Sequence, residues 1–295
     1  MVTPRFTYLV TSYRNPEQLY RLVARLRSLS PEAGVVVSHD RKSAPLDDGR
    51  LEPLRATWWP TPTPVSWGDG SYLLSILAAY RRLDPGPEQW VTTLSGQDYP
   101  LRPLAEYEAH LATSGANALL EETPDTPEEW NLRRRYVRRS HRVPAFAARG
   151  ATGKLVRLVP GLTWAPMPHG LRPTIERPVL ARPYRLRDVH RGNDLFAVDG
   201  TAVRALLTAP PRVLRHFVRT PTPSEGFAHT VLMNDPDIVV RPEMLHFARW
   251  QASAHPDDLG LDDLDEARAS GRWFARKFTQ DSPALDRLDE LLDLP

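Results

Sequence analysis

The stretch Leu94–Leu101, with the sequence Leu-Ser-Gly-Gln-Asp-Tyr-Pro-Leu, follows directly on an apolar run and decides how the fold is interpreted. It predicts a buried strand that ends in a polar turn, because Gly96 can adopt backbone angles closed to other residues and Pro100 cannot extend a strand ladder. We therefore expect Gln97 and Asp98 at the carboxyl end of a strand, the edge where open α/β sheets bind ligands. An isolated Gly-x-Asp is more often a simple turn, so the neighbouring segments must decide.

The segments before this stretch alternate between strand and helix patterns. Phe6–Val10 and Val35–Val37 are apolar runs typical of buried strands, and Asn15–Glu17 opens a helical pattern between them. Thr57–Trp59 is a third candidate strand, and Ser71–Leu83 carries apolar residues at helical spacing. This succession predicts an α/β fold with a parallel sheet of the nucleotide-binding type.

Patterns in the second part of the chain are weaker. We expect a strand at Ala118–Glu121, a charged helix at Glu128–Arg139, and loops rich in proline and glycine over 140–183. Regular structure should resume with a strand at Asp194–Asp199, and Ser224 should cap a later helix.

Length and composition bound the class of protein. The 295 residues are 41% hydrophobic and 25% charged, as in ordinary globular proteins, and the formal net charge is only +2. Cysteine is absent, which excludes disulfides and thiolate metal sites. No apolar run approaches the ~20 residues needed to span a bilayer, and no signal-peptide pattern follows Met1. We expect a cytoplasmic protein without a membrane span.

Three places could carry chemistry on local grounds. Asp40 and Lys42 follow the second predicted strand, where nucleotide-binding folds place a carboxylate, although a charged surface turn has the same composition. Glu225 in a first helical turn is a candidate general base, or it only stabilises the helix dipole. Arg276 and Lys277 lie between two phenylalanines and could hold a phosphate.

Other kinds of site have less support. No Asp-x-Asp pair follows a central strand and no His-x-x-x-His occurs, so we predict no metal. The phosphate-loop and dinucleotide glycine motifs are also missing. The stretch 133–157 holds nine basic residues and no acidic one, which leaves open an alternative function as a non-catalytic polyanion or nucleic-acid binder. A solvated helix face, or a contact to the acidic C-terminal third of the chain, explains this stretch without a nucleic-acid partner.

Six motifs occur in a characteristic order along nearly the whole chain. They are Tyr8–Val10 with Asn15–Leu19, His39–Ser43, Trp67-Gly68 with Ser71, Leu94–Leu101, Pro223–Glu225 with Thr230, and Phe274–Phe278. Together they resemble the core-2/I-branching glycosyltransferase family, which includes β-1,6-N-acetylglucosaminyltransferases and peptide O-xylosyltransferases. The absence of cysteine and of an anchor resembles a bacterial-type member.

This resemblance implies a GT-A-like variant in one domain, 1–295. A Rossmann-like nucleotide-sugar half (1–115) would continue through an irregular basic region (116–190) into a catalytic and acceptor half (191–295). The implied reaction is inverting and metal-independent and needs no cofactor. The donor would be a UDP-sugar, with GlcNAc or xylose expected, and the acceptor a glycan, glycoconjugate or small molecule. The basic charge between 121 and 191 would suit an anionic acceptor.

The resemblance also assigns roles to residues. Glu225 would be the catalytic base, Asp40 would hold the uridine, and Lys277 with an upstream arginine, for which Arg249 is our candidate, would bind the diphosphate. Lys42 and Arg276 complete the expected donor-binding set. The expected donor and acceptor pocket comprises Trp67, Gly68, Gln97, Asp98 and Thr230.

Overall fold

The structure is a computed structural model, and it describes most of the chain. The described residues are 4–66, 68–123, 136, 188–250 and 256–293, together with the backbone of three strands at 138–142, 163–164 and 174–178. Trp67 and most of the basic stretch 133–157 therefore lie outside the described residues.

Strands and helices alternate through the first part of the chain, as the apolar pattern predicts. The strands are β1 (Phe6–Ser12), β2 (Gly34–His39), β3 (Ala56–Pro60), β4 (Trp90–Ser95), β5 (Asp98–Pro100), β6 (Ala118–Leu119), β7 (Arg138–Arg142), β8 (Thr163–Trp164), β9 (Thr174–Pro178), β10 (Ala197–Asp199), β11 (Val240–Arg241), β12 (His246–Ala248) and β13 (Phe274–Arg276). The helices are α1 (Pro16–Leu29), α2 (Asp48–Leu51), α3 (Gly70–Leu83), α4 (Leu104–Thr113), α5 (Gly200–Thr208), α6 (Pro211–Phe217), α7 (Ser224–Met233), α8 (Leu264–Ala269) and α9 (Pro283–Asp293).

The central sheet has seven strands in the order β11-β6-β10-β4-β1-β2-β3. The strands β3, β2, β1 and β4 run parallel, whereas β10 is antiparallel to both of its neighbours. The chain reverses its direction of winding between β1 and β4, which makes the gap between their carboxyl ends the topological switch point. This architecture confirms the predicted α/β class and is compatible with a GT-A-like fold.

Helices cover both faces of the central sheet. Along β1, Tyr8 and Val10 pack into one apolar cluster and Leu9 into the other, because successive side chains of a strand point to opposite faces. The first cluster includes buried residues of α1, α4 and α9, and the second includes those of α3, α5 and α7. None of the helices in the described ranges is long and apolar enough to cross a bilayer.

A second, three-stranded sheet has the order β12-β13-β5 and joins the central sheet through the Leu94–Leu101 stretch. Strand β5 begins just after β4, and its Asp98 pairs in register with Arg276 of β13. The expectation that Pro100 ends strand pairing is wrong, since Pro100 lies inside β5 opposite Phe274. Proline is tolerated there because β5 is an edge strand, where one side needs no N–H donor.

Two predicted elements are corrected by the structure. Arg138–Arg142 forms a strand that pairs with Thr174–Pro178, so the predicted helix does not extend over 138–139 and the predicted loop region 140–183 contains strands. This strand could not be predicted from local sequence patterns, because its pairing partner lies more than 30 residues further along the chain. Ser224 is the first residue of α7 and not its cap, since Pro223 occupies the cap position without a side-chain hydrogen bond.

Candidate active site

The carboxyl ends of β1 and β4 meet at Gly96. The Gly96 N–H donates to the Thr11 carbonyl over 2.9 Å, and a Cβ at Gly96 would lie 3.2 Å from Cβ of Ser12. Glycine is favoured here because a Cβ would crowd Ser12 where the two strands approach, and not because of a positive φ angle as the sequence suggested. Gln97 and Asp98 are thereby placed at the switch point.

Asp40 lies buried at the end of β2, as predicted. Its Oδ1 accepts hydrogen bonds from the backbone N–H groups of Lys42 (3.2 Å) and Val65 (3.1 Å), and the Lys42 Nζ lies 3.2 Å from its Oδ2. Asp40 therefore fixes the loop at the end of β2, and Lys42 keeps about half of its side chain exposed beside it. The uridine contact of Asp40 and the donor contact of Lys42 stay predictions.

His39 joins the ends of β1 and β2. Its Nδ1 lies 2.7 Å from the Ser12 hydroxyl and its Nε2 lies 3.0 Å from the Ala44 carbonyl. Burial lowers the pKa of His39, against the opposing effects of the Ala44 carbonyl and the Asp40 carboxylate. A neutral imidazole that donates to Ala44 and accepts from Ser12 satisfies both contacts.

Asp98 forms the centre of a buried charge cluster. Its side chain and that of His246 are fully buried, with His246 Nε2 lying 3.2 Å from Oδ2 and Arg276 Nε lying 3.5 Å from Oδ1. These are ion-pair distances, and neither nitrogen is aligned for a hydrogen bond. Oδ2 accepts one from the Ser95 N–H over 2.7 Å. Burial alone would raise the pKa of Asp98, but Arg276 and His246 outweigh it and lower the pKa.

Three cations approach one another beside this cluster. Arg276 and Lys277 were predicted, whereas Arg14, which follows β1, was missed. The Arg14 guanidinium donates to Gln97 Oε1 over 3.0 Å. Burial lowers the pKa of Lys277, the Asp258 carboxylate opposes this, and the charges of Arg14 and Arg276 lower the pKa further.

Arg249 contacts a different set of side chains. Its guanidinium forms ion pairs with Asp263 and Glu266, just before and within α8. The hydrogen bond to Glu266 raises the pKa of Arg249. Its charge is thus compensated by two carboxylates, and its role in diphosphate binding stays a prediction.

Glu225 lies in the first turn of α7, which a strained elbow holds in place. Thr222 has a φ angle of 43°, and its N–H donates to the carbonyl of Gly68, whose φ is 78°. The Glu225 carbonyl accepts from the Gly192 N–H over 2.9 Å. The structure thus brings Gly68 to the turn that precedes the predicted base, and Glu225 itself is partly buried.

A buried tyrosine packs against the same turn. A Cβ at Gly226 would lie 2.5 Å from the Tyr136 ring, and the Tyr136 hydroxyl donates to the Thr222 carbonyl over 3.4 Å. Neither contact was visible in the sequence, because Tyr136 lies within the basic stretch. The first turn of α7 therefore has little freedom to move.

Thr230 lies about one and a half turns beyond Glu225 along α7. Its hydroxyl accepts from the His190 N–H (3.0 Å) and donates to the His190 carbonyl (3.1 Å), so it ties α7 to the segment at 188–192. This fully buried position fits a structural role, and its predicted place in the pocket is untested. The neighbouring His229 is also buried, which lowers its pKa to about 4, and its Nε2 lies 3.2 Å from the Glu121 carbonyl.

Tyr72 lies next to the end of β1 and lines a small cavity beside α7. Its hydroxyl lies 3.5 Å from that of Thr11, and burial raises its pKa, as does Asp194, whereas Arg276 lowers it. A cavity of about 20 Å³ separates Tyr72 from α7, and its lining includes Asp194 and Ser224. Within the described ranges no three His, Asp or Glu side chains are grouped as a metal site requires.

Comparison with known proteins finds partial similarity to two glycosyltransferases. No family model matches the sequence. The chain is 36% identical over 88 residues to the beta-glucuronosyltransferase GlcAT14B of Arabidopsis thaliana, and 35% identical over 88 residues to GlcAT14A from the same plant. Each match covers 28% of this chain and 20% of the Arabidopsis protein. The core-2/I-branching assignment is not addressed by these matches and stays a prediction.

Proposed function

We propose that the protein is a glycosyltransferase that moves a sugar from a UDP-sugar to an acceptor hydroxyl. The observation that carries the proposal is the switch point, where the cations Arg276 and Lys277 lie beside Gln97 and Asp98 at the carboxyl edge of the parallel strands. Such an edge is where α/β folds bind nucleotides, and clustered cations suit a diphosphate. The partial similarity to two glycosyltransferases supports the same class of reaction.

In the proposed reaction Glu225 acts as the general base. Its carboxylate takes the proton of the acceptor hydroxyl while that oxygen forms a bond to the anomeric carbon of the donor sugar. The bond from that carbon to the diphosphate oxygen breaks on the opposite face, and UDP leaves with the bonding electrons. The configuration at the anomeric carbon is inverted.

The cations would stabilise the charge that develops on UDP. Fixed positive groups in a partly dry site stabilise a leaving diphosphate without reorganising during the reaction. Arg276 is held on its inner side by Asp98, and Lys277 follows it directly in the chain. This is the basis for proposing that the reaction proceeds without a metal.

The resemblance favours GlcNAc or xylose as the transferred sugar, and the names of the two Arabidopsis proteins add glucuronic acid. The proposed acceptor is a glycan, a glycoconjugate or a small molecule. The basic stretch proposed to bind an anionic acceptor lies mostly outside the described residues.

The test is a donor panel of UDP-GlcNAc, UDP-xylose and UDP-glucuronic acid, in which UDP release is measured with and without EDTA. We expect release from one donor, unchanged by EDTA. A strict requirement for Mn²⁺ would refute the metal-free mechanism.

A pair of variants tests the base. Glu225→Gln should retain UDP binding but lose transfer, typically by a factor of 10² to 10⁴. The matched control is Glu290→Gln, which removes an exposed carboxylate of α9 that pairs with Arg287 and should leave transfer unchanged. Full transfer by Glu225→Gln would remove it as the base.

A further inference from the structure

Arg14 lies at the topological switch point of the central sheet. It follows β1 at the switch point, one residue beyond the exposed Tyr13, and its guanidinium reaches across to Gln97 at the end of β4. The Arg14–Gln97 contact of 3.0 Å therefore spans the opening between the two strands on either side of the switch point. In doubly wound sheets that opening is where ligands bind.

Arg14 is exposed, and its charge is not compensated by a carboxylate as the charges of three other arginines are. Arg276 faces Asp98, Arg249 faces two carboxylates, and Arg21 faces two more on α9. Arg14 instead has a neutral amide as its hydrogen-bond partner, and across the described ranges it forms no ion pair. The aromatic ring of Tyr13, 5.1 Å from its guanidinium carbon, restricts its side chain further.

The positive charges of Arg14, Arg276 and Lys277 repel one another, and an anion bound between them would reduce this repulsion. Arg14 and Arg276 both act on Lys277, and the carboxylates that oppose this effect belong to Asp257 and Asp258 in the segment paired with Lys277. A ligand with two or more negative charges, held between Arg14 and Lys277, would relieve this repulsion. A diphosphate has that charge and offers several acceptor oxygens for a guanidinium fork.

We propose that Arg14 is a third diphosphate-binding cation of the donor site and that Gln97 is its positioning residue. Gln97 suits this role because its amide oxygen orients the guanidinium without neutralising it, which a carboxylate at the same position would do. The amide leaves the other guanidinium N–H groups available to phosphate oxygens. The inference rests on the proposed function for the identity of the ligand as a nucleoside diphosphate, and on the structure for the cation cluster itself.

The experiment compares binding of UDP, uridine and inorganic pyrophosphate by calorimetry. Arg14→Ala should weaken UDP and pyrophosphate binding by roughly 10- to 100-fold and leave uridine within about twofold of wild type, because only the phosphates contact the guanidinium. Arg14→Lys, which keeps the charge but not the fork, should lie between wild type and Arg14→Ala. Arg287→Ala on α9, an exposed arginine paired with Glu290, is the control and should bind all three like wild type.

A second variant tests the role of Gln97. Gln97→Glu places a carboxylate at the position that now accepts from Arg14, and it should weaken UDP binding at least as much as Arg14→Ala does while leaving uridine binding intact. Equal UDP affinity of wild type and Arg14→Ala would overturn the inference, as would a parallel loss of uridine and UDP binding.

The outcomes also separate the two proposals. Wild-type protein that binds pyrophosphate through Arg14 but binds no uridine nucleotide would overturn the proposed function and support the cation site. Wild-type protein that binds UDP with no effect of Arg14→Ala would support the function and overturn the inference. Binding of neither ligand would overturn both.

Discussion

Replacing Asp98 by asparagine should destabilise the protein by about 3 kcal/mol at pH 7. The asparagine keeps an acceptor for the Ser95 N–H, so the change mainly removes the charge that faces Arg276 at 3.5 Å. At an effective dielectric constant of about 20, two opposite charges at that distance attract by roughly 4 to 5 kcal/mol. Breaking a buried pair typically costs about 3 to 5 kcal/mol. Arg276 retains 21% side-chain exposure, which places the estimate at the lower end of about 3 kcal/mol.

The assay is urea unfolding of wild type and Asp98→Asn followed by circular dichroism. The control is Asp286→Asn, which removes a carboxylate that is 73% exposed and pairs with Arg21, and it should cost less than about 1 kcal/mol. The pKa of Asp98 is lowered in the folded protein, so its contribution is present above the ordinary value of 3.8 and is lost as the pH falls below it. The difference in stability between wild type and Asp98→Asn should therefore shrink as the pH falls below 3.8. A difference below about 1 kcal/mol at pH 7 would refute the reasoning.

Two further predictions concern α7. Folded His229 titrates at a pKa of about 4 and unfolded histidine near 6.5, so the unfolded state binds more protons between these values and stability falls by about 3 kcal/mol as the pH drops through them. In urea unfolding, the loss of stability between pH 7 and pH 4.5 should be smaller for His229→Gln than for wild type. An equal loss in both proteins would show that His229 is not the cause. Gly226→Ala should lower stability by about 1 to 3 kcal/mol through overlap with the Tyr136 ring, and Tyr136→Leu should relieve part of that loss in a thermal melt.

The first strands of the central sheet could be predicted because each is marked by a short apolar run in the sequence. The runs at Phe6–Val10 and Val35–Val37 are largely apolar, as strands buried on both faces require, and in the structure each strand continues for two more residues at its carboxyl end. Asp40 could be placed at the carboxyl end of β2 for the same reason. Ser224 was misplaced by a single position, which is the usual error at a helix boundary.

The missed features depend on contacts between distant parts of the chain. In the sequence Arg14 is only a charged residue in a turn. It becomes a candidate site residue because the fold places it next to Gln97 and near Lys277. His246 likewise has no motif around it, yet it is fully buried against Asp98. A single sequence carries no signal for such pairings, because they depend on strand register that is set by tertiary packing.

Because β5 pairs with β13, the proposed donor site can form only after both strands have been synthesised. Asp40 and Gln97 precede Arg276 and Lys277 in the chain and therefore leave the ribosome earlier. The nascent chain can form the parallel strands β1 to β4 before it holds the full set of cations. Donor binding would therefore stabilise chains that already contain β13 more than shorter nascent chains, so that protection by the ligand reports that β13 has paired with β5.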